Sequence, residues 1–333
     1  MSDQVRQGID RYSRQALFWG IGDEGQAKLR ASRVVVVGCG ALGCAAVSFL
    51  ARAGVGQLVI VDRDFVELSN LQRQLLFEEA DAARGAPKAV AAAKAVGRIN
   101  SEVRVEPAVA DLTPANVLQI LSGADLVLDG TDNLETRYLV NDACVKLGIP
   151  WVYAGALAST GMTMTIIPRQ TPCFRCVFPD APPAGTMPTC ETAGVLVSIV
   201  AMVAAVQWTE AVKLLVGDRQ HLNSGLIILD PWSHEYEHTQ LAGPDPACPC
   251  CGQGRFEYLD AQATSRTTSL CGRHAVQVTP PSQRRLVLSE LAQRLRLAGT
   301  VTANEYLVRL GVNGYELTVF ADGRAIVKGT DDE

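Results

Sequence analysis

Two groups of residues in this sequence have the types and spacing to do chemistry. The first is the loop Gly38-Cys39-Gly40-Ala41-Leu42-Gly43, with Asp62 about twenty residues further on. Glycines at 38, 40 and 43 allow a tight turn and let backbone N–H groups approach a phosphate at a helix N-terminus. The acid is then placed to accept hydrogen bonds from ribose hydroxyls. The second group is two cysteine pairs of Cys-x-x-Cys spacing, Cys173 with Cys176 and Cys248 with Cys251. Pro172, Pro249 and Gly252 supply turns beside them. Four thiolates make a closed tetrahedral set for zinc, here clipping together two distant stretches of chain. Among the ten cysteines, Cys250 sits in odd register and reads as a spare. Cys39, Cys44 and Cys144 lie among apolar residues and read as small core side chains.

The loop needs a frame to hold it. Val34-Val35-Val36-Val37 reads as a buried parallel strand, Cys44 to Ala53 as a helix, and Leu58-Val59-Ile60-Val61 as the next strand, ending at Asp62. Gly85-Ala86-Pro87-Lys88 opens a helix over Ala89 to Ile99, with Pro87 suited to its first turn. Lys88 would then oppose the helix dipole from the surface, a hint of an anionic ligand. Val103 to Val105 with Val109, and Ala124 to Asp129, read as further strands, with a helix from Pro114 to Leu121 between them. Asp132 falls just past a strand end, where ligand sites gather in open α/β sheets, and would also cap the next helix. Ile149 to Ala156 reads as a strand ending in small residues that an extended peptide tail could pass. Met162 to Pro168 alternates like an antiparallel strand. The expected fold is α/β: a Rossmann-like mixed sheet, parallel strands first and antiparallel later, with helices on both faces. Pro179 to Pro188 reads as a mobile loop. Cys190 follows it at the start of the long apolar stretch Ala193 to Trp208, taken as a buried helix. At a helix N-terminus its thiol pKa would be lowered.

A glycine loop of this kind first suggests an NAD-dependent oxidoreductase. The segment Asp64-Phe65-Val66-Glu67-Leu68-Ser69-Asn70-Leu71-Gln72-Arg73-Gln74 argues otherwise, because it is polar where such an enzyme would continue its crossover. It resembles the Ser-Asn-Leu-x-Arg-Gln signature of the ubiquitin-activating-type adenylyltransferases, the ThiF/MoeB/HesA-like superfamily. The resemblance runs from Arg11 to Gly252 through several separated motifs. It implies ATP as the nucleotide, with Gly38, Gly40, Ala41, Gly43, Asp62, Ser69, Asn70, Gln72, Arg73, Lys88, Asp132 and Asn133 around it. Asp132 would carry magnesium, completed by substrate phosphates and water. Asn133 and Arg137 fit the Asp-Asn-x-x-x-Arg pattern, and zinc is the metal carried at the cysteine pairs. Arg11-Tyr12-Ser13-Arg14-Gln15 would reach across a homodimer, its second arginine, Arg14, approaching the phosphates of the other subunit's site. Cys190 matches the crossover-loop cysteine that some members use for a covalent link with their carrier.

The implied function is ATP-dependent adenylation of the C-terminal glycine of a small ubiquitin-like sulfur carrier ending in Gly-Gly, preparing it for thiocarboxylate formation. Arg14, Arg73, Lys88, Asp132 and Cys190 would be the catalytic residues. An alternative is an activating enzyme that forms a thioester through Cys190 for conjugation; the oxidoreductase is the weaker one. A sulfur donor, a cysteine desulfurase or rhodanese, is the further partner expected.

Composition agrees with a globular protein that can bury a core. The chain has 333 residues, 48% of them apolar, a net charge of −5 and a pI near 5.5, which disfavours nucleic acid as a partner. Met1 to Gln15 is polar and lacks a signal-peptide core, and Ala193 to Trp208 is short for a membrane span, so a cytoplasmic location is expected. One domain would run over residues 1–260 and a small α+β module over 261–333. In the module Leu288, Leu291, Ala292 and Leu295 share a helical face. Tyr306 to Leu310, Tyr315 to Phe320 and Ala325 to Lys328 read as strands joined at Asn313-Gly314 and Asp322-Gly323. Cys271-Gly272-Arg273-His274 resembles a persulfide loop, but the module is too short for a rhodanese; a docking surface fits better.

Overall fold

A computed structural model describes residues 11–182, 188–260, 267–270, 274–278, 286–330 and 332. Met1 to Asp10, part of the expected proline-rich loop (183–187) and Cys271-Gly272-Arg273 lie outside the described residues. The chain divides into two compact units. The larger holds Met1–Ala83, Pro87–Ala181 and Val195–Asp260; the smaller holds Arg84–Ala86, Pro182–Gly194 and Ala261–Glu333.

The larger unit is built on an eight-stranded sheet: β1 (Arg33–Val37), β2 (Gln57–Val61), β3 (Arg104–Ala108), β4 (Leu126–Asp129), β5 (Trp151–Leu157), β6 (Thr160–Ile166), β7 (Gly225–Asp230) and β8 (Glu235–Gln240). Their spatial order is β3-β2-β1-β4-β5-β6-β7-β8. Strands β1 to β5 pair in parallel and β5 to β8 antiparallel, the mixed sheet expected. The valine run of β1 is fully buried because its alternate side chains enter packing on both faces of the sheet.

Its longer helices are α1 (Gly22–Ala31), α2 (Ala41–Ala53), α3 (Lys88–Ile99), α4 (Leu134–Leu147) and α5 (Val197–Val216). Val35, Val37, Val59, Val61, Val127 and Trp151 pack with Tyr138, Leu139 and Ala143 of α4 on one side of the sheet. Leu42 and Ala45 of α2 pack with Ile199, Val200, Val203 and Ala204 of α5 against Ala154, Ile227 and Leu229 on the other.

Three boundaries differ from expectation. The helix expected from Pro114 begins at Val117, after Asn116 Oδ1 accepts from Thr113 N–H at 2.8 Å. Pro87 caps α3 from outside, and Lys88 is its first residue. The long apolar helix starts later and runs further than its sequence pattern implied, because Gly194 turns the chain at φ 75° and Leu196 caps α5. By length and composition α5 would span a membrane, yet 56% of its apolar window is buried against the fold. Gln207, which interrupts its apolar run, is fully buried, and its Nε2 donates to the backbone oxygens of Asp129 (2.8 Å) and Val152 (2.9 Å).

The smaller unit carries a six-stranded antiparallel sheet of β9 (Thr267–Leu270), β10 (Ala275–Val278), β11 (Thr300–Ala303), β12 (Leu307–Val312), β13 (Tyr315–Phe320) and β14 (Ala325–Lys328), ordered β11-β12-β13-β14-β10-β9. Helix α6 (Leu288–Leu295) packs Leu288 and Ala292 on Val308, as its apolar face predicts. Asn313 and Gly314 both take positive φ, the two-residue turn expected between β12 and β13. Asp322-Gly323 joins β13 to the antiparallel β14 as expected, in a longer turn closed by a Phe320 N–H to Arg324 O bond of 2.9 Å. Strands β9, β10 and β11 are not among those read from the sequence.

Candidate functional site

The site forms where β1, β2 and β4 end. Gly38 holds φ 84°, and its N–H donates to Val61 O at 2.8 Å. A methyl group at Gly43 would lie 2.0 Å from Gly38 O, and one at Gly130 would lie 2.4 Å from the same atom. These contacts lock the loop onto the end of β4. Gly40 is different: the nearest protein atom to an added Cβ is Gly130 O, 3.8 Å away. Packing does not require glycine there, and the space lies open at the N-terminus of α2, which begins with Ala41.

Asp62 is buried beneath the loop. Its Oδ2 accepts from Cys39 N–H at 2.6 Å and its Oδ1 from Asp64 N–H at 2.7 Å. Burial pushes its carboxyl above the usual carboxylate value, against the pull of the Lys88 charge. Lys88 is not the surface lysine expected. It is 4% exposed, and its Nζ lies 3.1 Å from Asp64 Oδ2. An isolated bridge between Phe65 and Pro87 brings these segments together.

After Asp64 the chain makes a short 3-10 turn, Leu68–Asn70. Asn70 Oδ1 accepts from Glu67 N–H at 3.0 Å, so this side chain shapes the turn. Ser69 and Gln72 are exposed, and Arg73 is tethered by one bond of 2.9 Å from its guanidinium to Ser69 O.

Asp132 does not cap the following helix. Asn133 does, its Oδ1 accepting from Thr136 N–H at 3.3 Å. Asp132 is left exposed past the end of β4, near enough for its charge to act on both Arg63 and Arg137. A hard carboxylate oxygen in that position suits magnesium held jointly with phosphate and water. Arg137 is scaffold: its Nε donates to the buried Asp129 Oδ2 at 2.9 Å, and its Nη2 to Thr131 O at 2.6 Å and Ala154 O at 3.1 Å.

The N-terminal element is anchored within the chain. Arg11 donates to Ile99 O at 3.1 Å, Tyr12 OH accepts from Asn100 Nδ2 at 2.7 Å, and Gln15 donates to Ala53 O at 3.0 Å. Arg14 is exposed.

The four cysteines of the two pairs do meet, on the α4 side of the sheet, with all sulfurs within 4.8 Å of one another. The shorter separations are 3.6 Å (Cys173 to Cys248), 3.8 Å (Cys173 to Cys176) and 3.4 Å (Cys176 to Cys251). A tetrahedral zinc about 2.3 Å from each sulfur needs sulfurs about 3.8 Å apart, so the donor set fits that ion. Cys250, the supposed spare, is fully buried beside the cluster, where its sulfur accepts from Asn141 Nδ2 at 3.3 Å.

Cys190 departs from expectation. It opens a four-residue helix, Cys190–Ala193, capped by Thr189, and not the long helix α5. One helical turn carries little of the dipole on which a lowered thiol pKa was argued. Sequence reasoning passed over Arg63, Asp111 and Asp129, which surround the site; Arg63 and Asp111 pair from the ends of different strands, and Asp129 pairs with Arg137 of the helix that follows β4.

Residues 12–250 match the ThiF family. The chain is 43% identical over 324 residues to the sulfur carrier protein ThiS adenylyltransferase of Bacillus subtilis (strain 168), covering 97% of this chain and 95% of that protein. It is 44% identical over 252 residues to the SAMP-activating enzyme E1 of Haloferax volcanii, covering 76% of this chain and 92% of that one. The crystal structure of E. coli MccB with ATP shares the fold, with a TM-score of 0.64 at 23% identity over 73% of this chain and 74% of that one. Kinship of this extent, spanning the whole nucleotide frame, makes the chain a member of the ThiF family, the grouping to which its Ser69 to Gln74 stretch pointed.

Proposed function

We propose that this protein is an adenylyltransferase that activates the C-terminal glycine of a small ubiquitin-like sulfur carrier. The observation that carries the reading is the grouping of an open glycine position, Gly40, a buried Asp62 and a buried Lys88 paired with Asp64 at one end of the parallel strands. Near full-length similarity to a ThiS adenylyltransferase supports the carrier as substrate.

In the reaction a carrier carboxylate oxygen attacks the α-phosphorus of ATP. The new O–P bond forms as the bond to the bridging oxygen breaks, and pyrophosphate leaves. A carboxylate is already ionised at neutral pH, so no general base is needed. The protein supplies position and charge. Asp62 holds the ribose, while Asn70, Arg73 and Lys88 contact the phosphates along with Ser69, Gln72 and the glycine loop. Arg14 of the partner subunit reaches the same phosphates, which requires a homodimer. Asp132 holds magnesium, which neutralises phosphate charge when bound, and Asn133 lies beside it at the nucleotide. Cys173, Cys176, Cys248 and Cys251 hold zinc with no open position, a structural role. A sulfur donor then acts on the carrier adenylate, in the cytoplasm.

A second reading, thioester formation at Cys190 for conjugation, draws its support from the similarity to an activating enzyme of the E1 type. ATP–pyrophosphate exchange, with and without a carrier ending in Gly-Gly, tests the main proposal. Exchange that depends on the carrier is expected; its absence with every such carrier would overturn the proposal.

A further inference from the structure

The nucleotide frame has a side chain whose charge and shape the adenylation reading does not use. Asp62 N–H continues the β2–β3 ladder by donating to Ala108 O at 3.1 Å. Arg63, the next residue, leaves the end of β2 toward the segment after β3. There its Nη1 lies 3.0 Å from Asp111 Oδ2, and its Nε is 3.9 Å from Asp64 Oδ1. The side chain keeps 25% of its surface exposed.

The strand order fixes which part of a nucleotide this arginine would meet. The phosphates belong over the loop after β1 and the ribose at Asp62 after β2. With β3 beyond β2, the base continues in that direction, past Asp62 and away from the loop. Arg63 and Asp111 stand on that path. A guanidinium held at its edge by carboxylates leaves its flat faces available, and such faces stack on aromatic rings.

We propose that Arg63 is the platform on which the adenine base of ATP lies, and that Asp111 is the positioning residue that keeps its plane fixed. The assignment rests on the nucleotide site proposed above, but not on the carrier or the reaction.

Calorimetric titration of the full-length protein with magnesium-ATP tests it without any carrier. Arg63→Ala is expected to weaken ATP binding about tenfold, the size of a partly desolvated stacking contact. Arg63→Lys keeps the charge and loses the plane, so it should be as weak. Asp111→Asn should weaken binding by a smaller factor, about threefold, with Arg63 present but less firmly oriented. In pyrophosphate exchange these changes should raise KM for ATP and leave kcat within about twofold, the pattern of lost ground-state binding. ATP affinity unchanged in Arg63→Ala, or fully restored in Arg63→Lys, overturns the platform. A fall in thermal midpoint without a change in affinity would make the Arg63–Asp111 pair structural only, and overturns it too. Wild-type protein that binds no ATP would sink both this assignment and the nucleotide site; wild-type protein that binds ATP without carrier-dependent exchange would sink the reaction alone.

Discussion

Lys88 and Asp64 are joined twice. The lysine Nζ lies 3.1 Å from Asp64 Oδ2, and the lysine backbone N–H donates to Asp64 O at 2.9 Å. The ammonium is thereby fixed at the first residue of α3, with its stem buried and its direction set by the neighbouring segment. A lysine prepared in this way can meet phosphate without first ordering a flexible chain. Lys88→Ala should lower exchange about a hundredfold, the scale of a lost charge stabiliser in an excluded site. It should also lower stability, because Asp64 loses the cation 3.1 Å from it while Arg63 stays 3.9 Å away. Exchange rates and urea unfolding measure the two effects. Activity within about twofold of wild type would remove Lys88 from the phosphate site.

The glycines of the loop should separate folding from binding. Gly43→Ala places a methyl group 2.0 Å from Gly38 O and should lower the thermal midpoint sharply or prevent folding. Gly40→Ala meets nothing closer than 3.8 Å and should fold, yet weaken ATP binding about tenfold by obstructing the phosphates. Normal ATP affinity in a folded Gly40→Ala protein would show that the open space is not the phosphate path.

Metal analysis should find about one zinc per subunit, held by the closed four-thiolate set. The cluster joins the segment after β6 to the segment after β8, so a strong chelator should lower the thermal midpoint. Zinc retained after Cys173→Ser and Cys248→Ser are combined would place the ligands elsewhere.

Arg14 is exposed while Arg11, Tyr12 and Gln15 are tied to the rest of the chain. Mixing Arg14→Ala protein with Lys88→Ala protein should restore part of the exchange activity, since some heterodimers would carry one intact site. No recovery after confirmed subunit exchange would argue that each chain completes its own site.

Cys190 opens only a four-residue helix, so a covalent role would rest on its position in the chain. Wild type with carrier and ATP should give a thiol-sensitive carrier–enzyme adduct by intact mass, absent in Cys190→Ala. Carrier adenylate without any adduct would make Cys190 a bystander.

Most of the nucleotide frame was legible because it is local. Strand, glycine turn, helix and Asp62 follow within one stretch, each with its own propensity. The buried state of Lys88 was not legible, since it depends on Asp64 across the Phe65–Pro87 bridge. Asp132 and Asn133 are both good capping residues, and sequence alone does not choose between adjacent ones. Arg63 and Asp111 become neighbours only once β2 pairs with β3. The start of α5 was misplaced because apolar content continues through Val195 and Leu196, while only backbone geometry reveals the break at Gly194.

Gln207 has a consequence for the way the long helix finds its place. Much of α5 is alanine and valine, and such a surface can slide along a sheet with many nearly equal resting positions. One amide that fits only the carbonyls of Asp129 and Val152 leaves a single register. A more apolar helix with Leu at this position would gain adhesion, give up the two hydrogen bonds to those carbonyls, and lose the pin that tells it where to stop.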